Sequence, residues 1–199
     1  MRFLLLVTAA ACTGGSATVD GGGGGGSGNL PDADPAVVAL EDEAFALILA
    51  ERTAGSVGGL VHDDALRAVA RAHSEDMVAR SFFAHVNPDN EDPFDRMAAA
   101  GISFSTAGEN IAWNLGYSDP AGTAVTGWMN SAGHRANILN GSFTHSGMGV
   151  AVAPDGGVYF TQVFTRPLGT LVLAGWLVAG DGVVAGDDEA TSSWHARGQ

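Results

Sequence analysis

Residues 147–164 read G-M-G-V-A-V-A-P-D-G-G-V-Y-F-T-Q-V-F, and this stretch decides the fold class. It contains two runs rich in β-branched and aromatic residues, 148–153 and 158–164, with P-D-G-G between them. Turn residues between two such runs are typical of a β-hairpin. We therefore predict two antiparallel strands joined by a tight turn.

The chain before this hairpin has the pattern of helices. Aspartates suited to helix N-caps stand before each segment, and in three cases proline follows at the first helical position. We predict helices over residues 35–53, 64–80, 93–101 and 120–130, and one or two further turns over 132–139. Helices followed by strands indicate an α+β domain.

The second predicted helix is amphipathic. Its apolar stripe consists of Leu66, Val69, Ala70, His73 and Met77. The charged residues between them, Arg67, Arg71, Glu75 and Asp76, are expected to face water.

Two further apolar stretches follow the hairpin within residues 168–185, interrupted by glycines and by Asp181. They are too short to span a bilayer. We interpret residues 168–199 as a C-terminal extension with an additional hairpin and a flexible tail.

Five short motifs appear in a fixed order along the chain. They are F-F-A-H at 82–85, G-E-N-I-A at 108–112, W-M-N-S-A-G-H-R-A-N-I-L at 128–139, G-M-G-V at 147–150 and Y-F-T-Q-V-F at 159–164. Together they resemble the SCP domain of the CAP superfamily, which includes cysteine-rich secretory proteins, antigen 5 and plant pathogenesis-related proteins. The similarity is to its cysteine-poor secreted bacterial branch. For residues 30–167 it implies an α-β-α sandwich, with a small, mostly antiparallel sheet between helical layers.

The resemblance also implies a cleft lined by two histidines and two acids. Matched motif by motif, His85, Glu109 and His134 occupy three of these positions, while Ser131 stands where the second acid is expected. The tetrad is therefore incomplete. Asn110, Ser131 and Arg135 are predicted to line the same cleft.

The residue types support a metal site on their own chemistry. Two imidazoles and one carboxylate suit a borderline divalent ion such as zinc, and three protein ligands leave a position open for water. His85, His134 and Glu109 are thus candidate ligands. In the alternative interpretation, Glu109 anchors a loop and both histidines are hydrogen-bonded rim residues. No organic cofactor is expected, because the glycine-rich run before residue 30 does not place a G-x-G-x-x-G pattern between a strand and a helix.

A hydrolase arrangement can also be drawn. Ser131 and His134 are three residues apart and would share a helix face if the helix continues through Gly133. With Glu109 as the orienting acid, Ser131, His134 and Glu109 become candidate catalytic residues. Alternatively, Ser131 caps the following turn.

The remaining polar residues favour structural roles. We expect His73 to be buried and hydrogen-bonded, and His62 and His145 to be exposed. The amides of Asn110 and Asn137 are expected to tie loops to the backbone.

The N-terminus reads M-R-F-L-L-L-V-T-A-A-A-C, with one positive charge, a short apolar run and small residues that end at Cys12. This pattern is typical of a bacterial lipoprotein signal, removed as residues 1–11 so that Cys12 is lipidated. An ordinary secretory signal is the alternative. Residues 12–29 are rich in glycine and serine and predict a flexible tether.

The charge composition of the chain excludes one class of binding partner. Acidic residues number 22 against 9 basic ones, and the formal net charge of −13 excludes binding to the phosphate backbone of nucleic acids. Cys12 is the single cysteine and cannot form an internal disulfide. We expect a monomer outside the cytoplasm that meets the membrane only through its lipid anchor, or is secreted.

Three function classes follow. The first is a tethered module whose cleft binds a small-molecule or lipid-like ligand, or a cell-envelope component. The second is a metal-assisted hydrolase of peptide or wall material, with Glu109 as third ligand or general base. The third is a non-catalytic interaction domain. Because the second acid is missing, we expect binding rather than catalysis.

Overall fold

The computed structural model describes residues 34–168 and the backbone of residues 178–179 and 182–183. Residues 34–168 belong to one compact unit, and the two short segments belong to a second. The predicted signal, Cys12, the tether and most of the C-terminal extension lie outside the described residues.

Among the described residues, four of the five helices begin directly after the predicted aspartate caps. The helices are α1 (Pro35–Ala54), α2 (Asp64–Arg80), α3 (Pro93–Ala99), α4 (Pro120–Asn130) and α5 (Ala132–Ile138). The side chains of Asp34, Asp63, Asp92 and Asp119 each accept a hydrogen bond from a backbone N–H of the first turn. Within the described part of the chain, no helix is long and apolar enough to cross a membrane.

The described residues of the first unit contain one four-stranded sheet with the order β1-β3-β4-β2. Its strands are β1 (Val61–His62), β2 (Phe104–Asn114), β3 (His145–Val152) and β4 (Val158–Pro167). The predicted hairpin of β3 and β4 is confirmed, and only the pairing of β1 with β3 is parallel. The edge strand β2 was not predicted from the sequence.

Hydrophobic residues pack on both faces of the sheet. On one face, α1 and α4 pack around Trp128, Phe160 and Phe164. On the other, α2 and α3 pack around Ala107 and Val163. The α-β-α sandwich implied by the family resemblance is therefore confirmed.

The prediction that the charged residues of α2 face water is wrong for two arginines. Arg67 and Arg71 are buried, because both donate to the carboxylate of Glu41, which is 0% exposed on α1. Their Nε atoms lie 2.6 and 2.8 Å from Glu41 Oε2 and Oε1, and the Val150 N–H also donates to Oε1. This cluster joins α1, α2 and β3.

A third buried arginine, Arg52, lies in the last turn of α1. Its guanidinium donates to the carbonyl oxygens of Gly58, Ile138, Asn140 and Phe143, at distances of 2.7 to 3.2 Å. Burial lowers the pKa of this guanidinium from its ordinary value. Arg52 thus ties the end of α1 to the segment that follows α5.

In the second unit, β5 (Val178–Ala179) and β6 (Gly182–Val183) pair antiparallel. They lie within the segment for which an additional hairpin is predicted.

Candidate functional site

Glu109 and His85 form the centre of the candidate site. Glu109 lies on the edge strand β2 and is 3% exposed, and His85 lies in the segment between α2 and α3. His85 Nδ1 is 2.8 Å from Glu109 Oε1. With Nδ1 engaged by the carboxylate, the other ring nitrogen, Nε2, is buried and has no hydrogen-bond partner among the residues that the structure describes.

Arg96 on α3 completes this arrangement, and sequence reasoning missed it. Its Nη2 donates to Glu109 Oε2 at 2.7 Å, and its Nη1 donates to the carbonyl oxygens of His85 and Glu91 at 2.9 and 3.0 Å. Both oxygens of Glu109 are therefore bound. The only sequence signal was an arginine in a short helix after an acidic loop, and such a residue is usually solvated.

His134 on α5 is 1% exposed, and within residues 34–168 neither of its ring nitrogens has a hydrogen-bond partner. Burial lowers the pKa of His134 to about 4, and the charge of His85 contributes to this shift. His134 is therefore neutral at pH 7, with one ring nitrogen able to act as a ligand or acceptor.

Two amides attach α5 to the edge strand. Asn110 Nδ2 donates to the His134 carbonyl oxygen at 3.2 Å, and Asn137 Nδ2 donates to Asn110 Oδ1 at 2.9 Å and to the Glu109 carbonyl oxygen at 3.3 Å. The predicted tying role of these amides is confirmed. Adjacent residues of β2 thus contact both histidines, since Glu109 binds the His85 ring and Asn110 binds the backbone carbonyl of His134.

The predicted arrangement of Ser131 with His134 is wrong. Ser131 has φ −101° and ψ 123°, an extended conformation that separates α4 from α5, so the two residues do not share a continuous helix. Its hydroxyl is buried, forms no capping hydrogen bond and has no partner among the described residues. Glu109 binds His85 instead of His134, so a Ser-His-Glu relay is not formed.

The other predicted residues lie as follows. Arg135 is exposed and donates to the Met129 carbonyl oxygen at 3.3 Å. His73 is buried with Nε2 3.0 Å from the Ala84 carbonyl oxygen, as expected. His62 and His145 are half-buried rather than exposed. His62 packs edge-on against the ring of Phe45, and His145 contacts the hydroxyl of Thr144.

The donor set fits a metal ion through its imidazoles. Within residues 34–168, no group of three His, Cys, Asp or Glu side chains is arranged to hold an ion. Glu109 is occupied by His85 and Arg96, whereas His85 Nε2 and the His134 ring are buried and unpartnered. Two of the three predicted ligands therefore have free nitrogen atoms, and the third supports one of them.

A groove of about 620 Å³ runs between α1 and α4, apart from these residues. It is lined by Leu47, Asp119, Gly122, Thr123, Thr126, Gly127 and Asn130. None of the predicted site residues lines it.

Comparison with known proteins gives a consistent result. The profile described as "CAP: Cysteine-rich secretory protein family" matches residues 45–164. The uncharacterized protein YkwD of Bacillus subtilis is 43% identical over 132 residues, which are 66% of this chain and 49% of YkwD. This chain thus spans about half the length of that relative.

Two solved structures resemble the described fold. An extracellular protein containing a SCP domain from Bacillus anthracis has 32% identity and a TM-score of 0.58, over 67% of this chain and 44% of its own. An outer surface protein of Borrelia burgdorferi has 19% identity and a TM-score of 0.60, over 65% of this chain and 94% of its own, and shows the fold alone.

Proposed function

We propose that this chain, which belongs to the CAP, or cysteine-rich secretory protein, family, is an extracytoplasmic ligand-binding protein. Its His85 and His134 bind a divalent ion, and zinc is the favoured metal. The observation that carries the proposal is the pair of buried imidazoles with unpartnered nitrogen atoms. A buried polar atom without a partner destabilises the fold by about 1 to 3 kcal/mol. A metal ion bound by both rings would remove this penalty.

Glu109 and Arg96 prepare His85 for this role. The carboxylate fixes the ring through Nδ1, which leaves Nε2 as the free nitrogen, and Arg96 holds the carboxylate from its other oxygen. Such outer partners of a ligating histidine typically change metal affinity by about 10- to 100-fold. When bound, zinc would supply a Lewis acid with open positions for an oxygen or nitrogen atom of the ligand.

Calorimetric titration of the full chain with Zn²⁺ at pH 7 tests the metal site. We expect about one ion per chain, loss of binding in His85→Ala and in His134→Ala, and about tenfold or greater weakening in Glu109→Gln. His145→Ala is the matched control and is expected to bind zinc as the parent protein does. The proposal would be overturned if the parent protein did not bind zinc, or if either histidine variant bound it as tightly as the parent protein does.

Binding, not hydrolysis, is the function that the geometry supports. Ser131 lies outside both helices in an extended conformation, and both oxygens of Glu109 are engaged, one by His85 and one by Arg96. We propose that the ligand is a small molecule, a lipid-like molecule or a component of the cell envelope, bound by a monomer.

The proposed location rests on the N-terminal pattern and on a relative. Residues 1–12 carry the features of a lipoprotein signal, and the similar Bacillus anthracis protein is described as extracellular. We propose that Cys12 is lipidated and that residues 12–29 tether the domain. Metabolic labelling with an alkyne fatty acid should mark the parent protein and not Cys12→Ala, and labelling of both would contradict the anchor.

A further inference from the structure

A second groove of about 490 Å³ lies between the C-terminal end of α2, the end of β2 and the β3–β4 turn. Phe82, Phe83, Trp113 and Tyr159 form its aromatic wall, and Asp155 lies at its rim. We call these five residues the aromatic cup. The metal proposal uses none of them.

The rings of the cup are tilted towards one another. The centroids of Phe83 and Tyr159 are 6.3 Å apart with an interplanar angle of 64°, and those of Trp113 and Tyr159 are 6.2 Å apart at 54°. Trp113 and Tyr159 are register partners on β2 and β4, so the sheet fixes their spacing. Edge-to-face and tilted pairs are the usual geometry of neighbouring aromatic rings, and all three side chains line the groove.

The charge of the cup is negative and uncompensated. Asp155 is exposed, and its Oδ1 accepts the Gly157 N–H at 3.0 Å. Among the described residues, Asp155 has no ion-pair partner. Burial raises the pKa of Tyr159, and the carboxylate of Asp155 adds to the shift, which places that charge near the phenol ring.

Arg80, the cationic side chain that contacts Phe82, is already paired with two carboxylates. Arg80 lies with its guanidinium carbon 5.7 Å from the ring centroid of Phe82. Its nitrogen atoms pair with the carboxylates of Asp76 and Asp89, each at 2.5 Å. The Phe83, Trp113 and Tyr159 rings therefore have no cation of the described chain against them.

We propose that the aromatic cup binds the alkylated ammonium group of a free cationic solute of about the size of choline. Aromatic faces attract such a group through cation–π interactions, worth about 0.5 to 2 kcal/mol each. The Asp155 carboxylate adds attraction for the cation. A phosphate-bearing head group would be repelled by Asp155 and by the net charge of −13, so a solute is favoured over a phospholipid.

The test is calorimetric titration of the full chain with choline and with 3,3-dimethylbutan-1-ol, its uncharged analogue of the same shape. We expect saturable binding of choline and at least tenfold weaker binding of the alcohol. Amide shifts in a two-dimensional NMR spectrum should cluster at residues 83, 113, 155 and 159. Equal affinity for the two compounds, or no choline binding, would overturn the proposal.

Three variants refine the test. Asp155→Asn keeps an oxygen for the Gly157 N–H but removes the charge, and should weaken choline binding about fivefold or more. Phe83→Leu keeps an apolar side chain without the π-face and should abolish binding. Glu75→Gln makes the same charge change on the exposed face of α2 and should leave binding unchanged. Equal losses in Asp155→Asn and Glu75→Gln would contradict a local site, as would binding to phosphatidylcholine vesicles without binding to choline.

Discussion

Glu41 is the residue that connects α1, α2 and β3 through its hydrogen bonds. Its buried carboxylate accepts hydrogen bonds from Arg67, Arg71 and the Val150 N–H. Removal of one partner from a buried ion pair leaves an uncompensated charge, which typically costs about 3 to 5 kcal/mol.

We predict that Glu41→Gln lowers the free energy of unfolding by about 3 to 5 kcal/mol, measured by urea denaturation. Asp42→Asn is the matched control, because Asp42 pairs with the same Arg67 at 3.1 Å but from the solvent side. It should change stability by less than about 1 kcal/mol. Similar losses in the two variants would show that burial does not decide the contribution of these acids.

At this scale the sequence predicted the site only in part. The resemblance named His85, Glu109 and His134, and the structure connects all three to one edge strand. Arg96 was missed because its role depends on α3 lying against Glu109, a contact that local patterning does not encode. Arg67 and Arg71 were assigned to solvent for the same reason, since their partner Glu41 lies 26 and 30 residues away.

At two glycines of β3, the helix α2 lies directly against the strand backbone. A Cβ atom added at Gly149 would overlap the backbone of Ala70 and Arg71, and one at Gly147 would overlap the backbone of Leu66 and Arg67. The helix therefore packs directly on the backbone of the strand, and no side chain fits between them.

We predict that Gly149→Ala destabilises the protein by about 3 kcal/mol or more, at the upper end of the usual cost of overpacking, because two backbones must separate. Gly59→Ala is the control, since a Cβ there has no atom within 4 Å, and it should shift stability by less than about 0.5 kcal/mol. Thermal unfolding by circular dichroism measures both. A stable Gly149→Ala variant would mean that α2 can move away from the sheet at little cost.

Elements with local signals were predictable, and those without were not. Each aspartate cap of α1 to α4 identified a helix start, because the cap acts within one turn. The strand β2 was missed because residues 107–112 are all buried, so the alternation that marks a half-exposed strand is absent. The boundary between the predicted helix over 120–130 and the further turns over 132–139 is confirmed, since α4 ends at Asn130 and α5 begins at Ala132.

At the scale of the whole molecule, two buried histidines couple folding to pH. Burial lowers the pKa of His73 from 6.5, and that of His134 to about 4. Below about pH 6.5 the unfolded chain therefore binds more protons on these rings than the folded protein does, and for His134 this difference extends down to about pH 4. The free energy of unfolding must therefore fall as the pH falls through this range, by up to about 1.4 kcal/mol per pH unit for each histidine.

We predict that metal-free protein loses stability steadily between pH 6.5 and 5, above the range in which most carboxylates titrate. His73→Gln keeps a donor for the Ala84 carbonyl oxygen but cannot titrate. The unfolding free energy of this variant should change less steeply with pH than that of the parent protein. The difference in slope should be up to about 1.4 kcal/mol per pH unit, which corresponds to one proton. A slope identical to that of the parent protein would show that His73 has the same pKa in both states.

The carbonyl contacts of Arg52 affect how the fold responds to the concentration of ions in solution. Turns held by several carbonyl oxygens around a dissolved cation come apart when the ion is diluted or chelated. Here the cation is part of the chain, so four carbonyl oxygens between residues 58 and 143 converge on a charge that cannot diffuse away. The segment after α5, and with it the helix that carries His134, should therefore keep its position in ion-poor water and in the presence of a metal chelator.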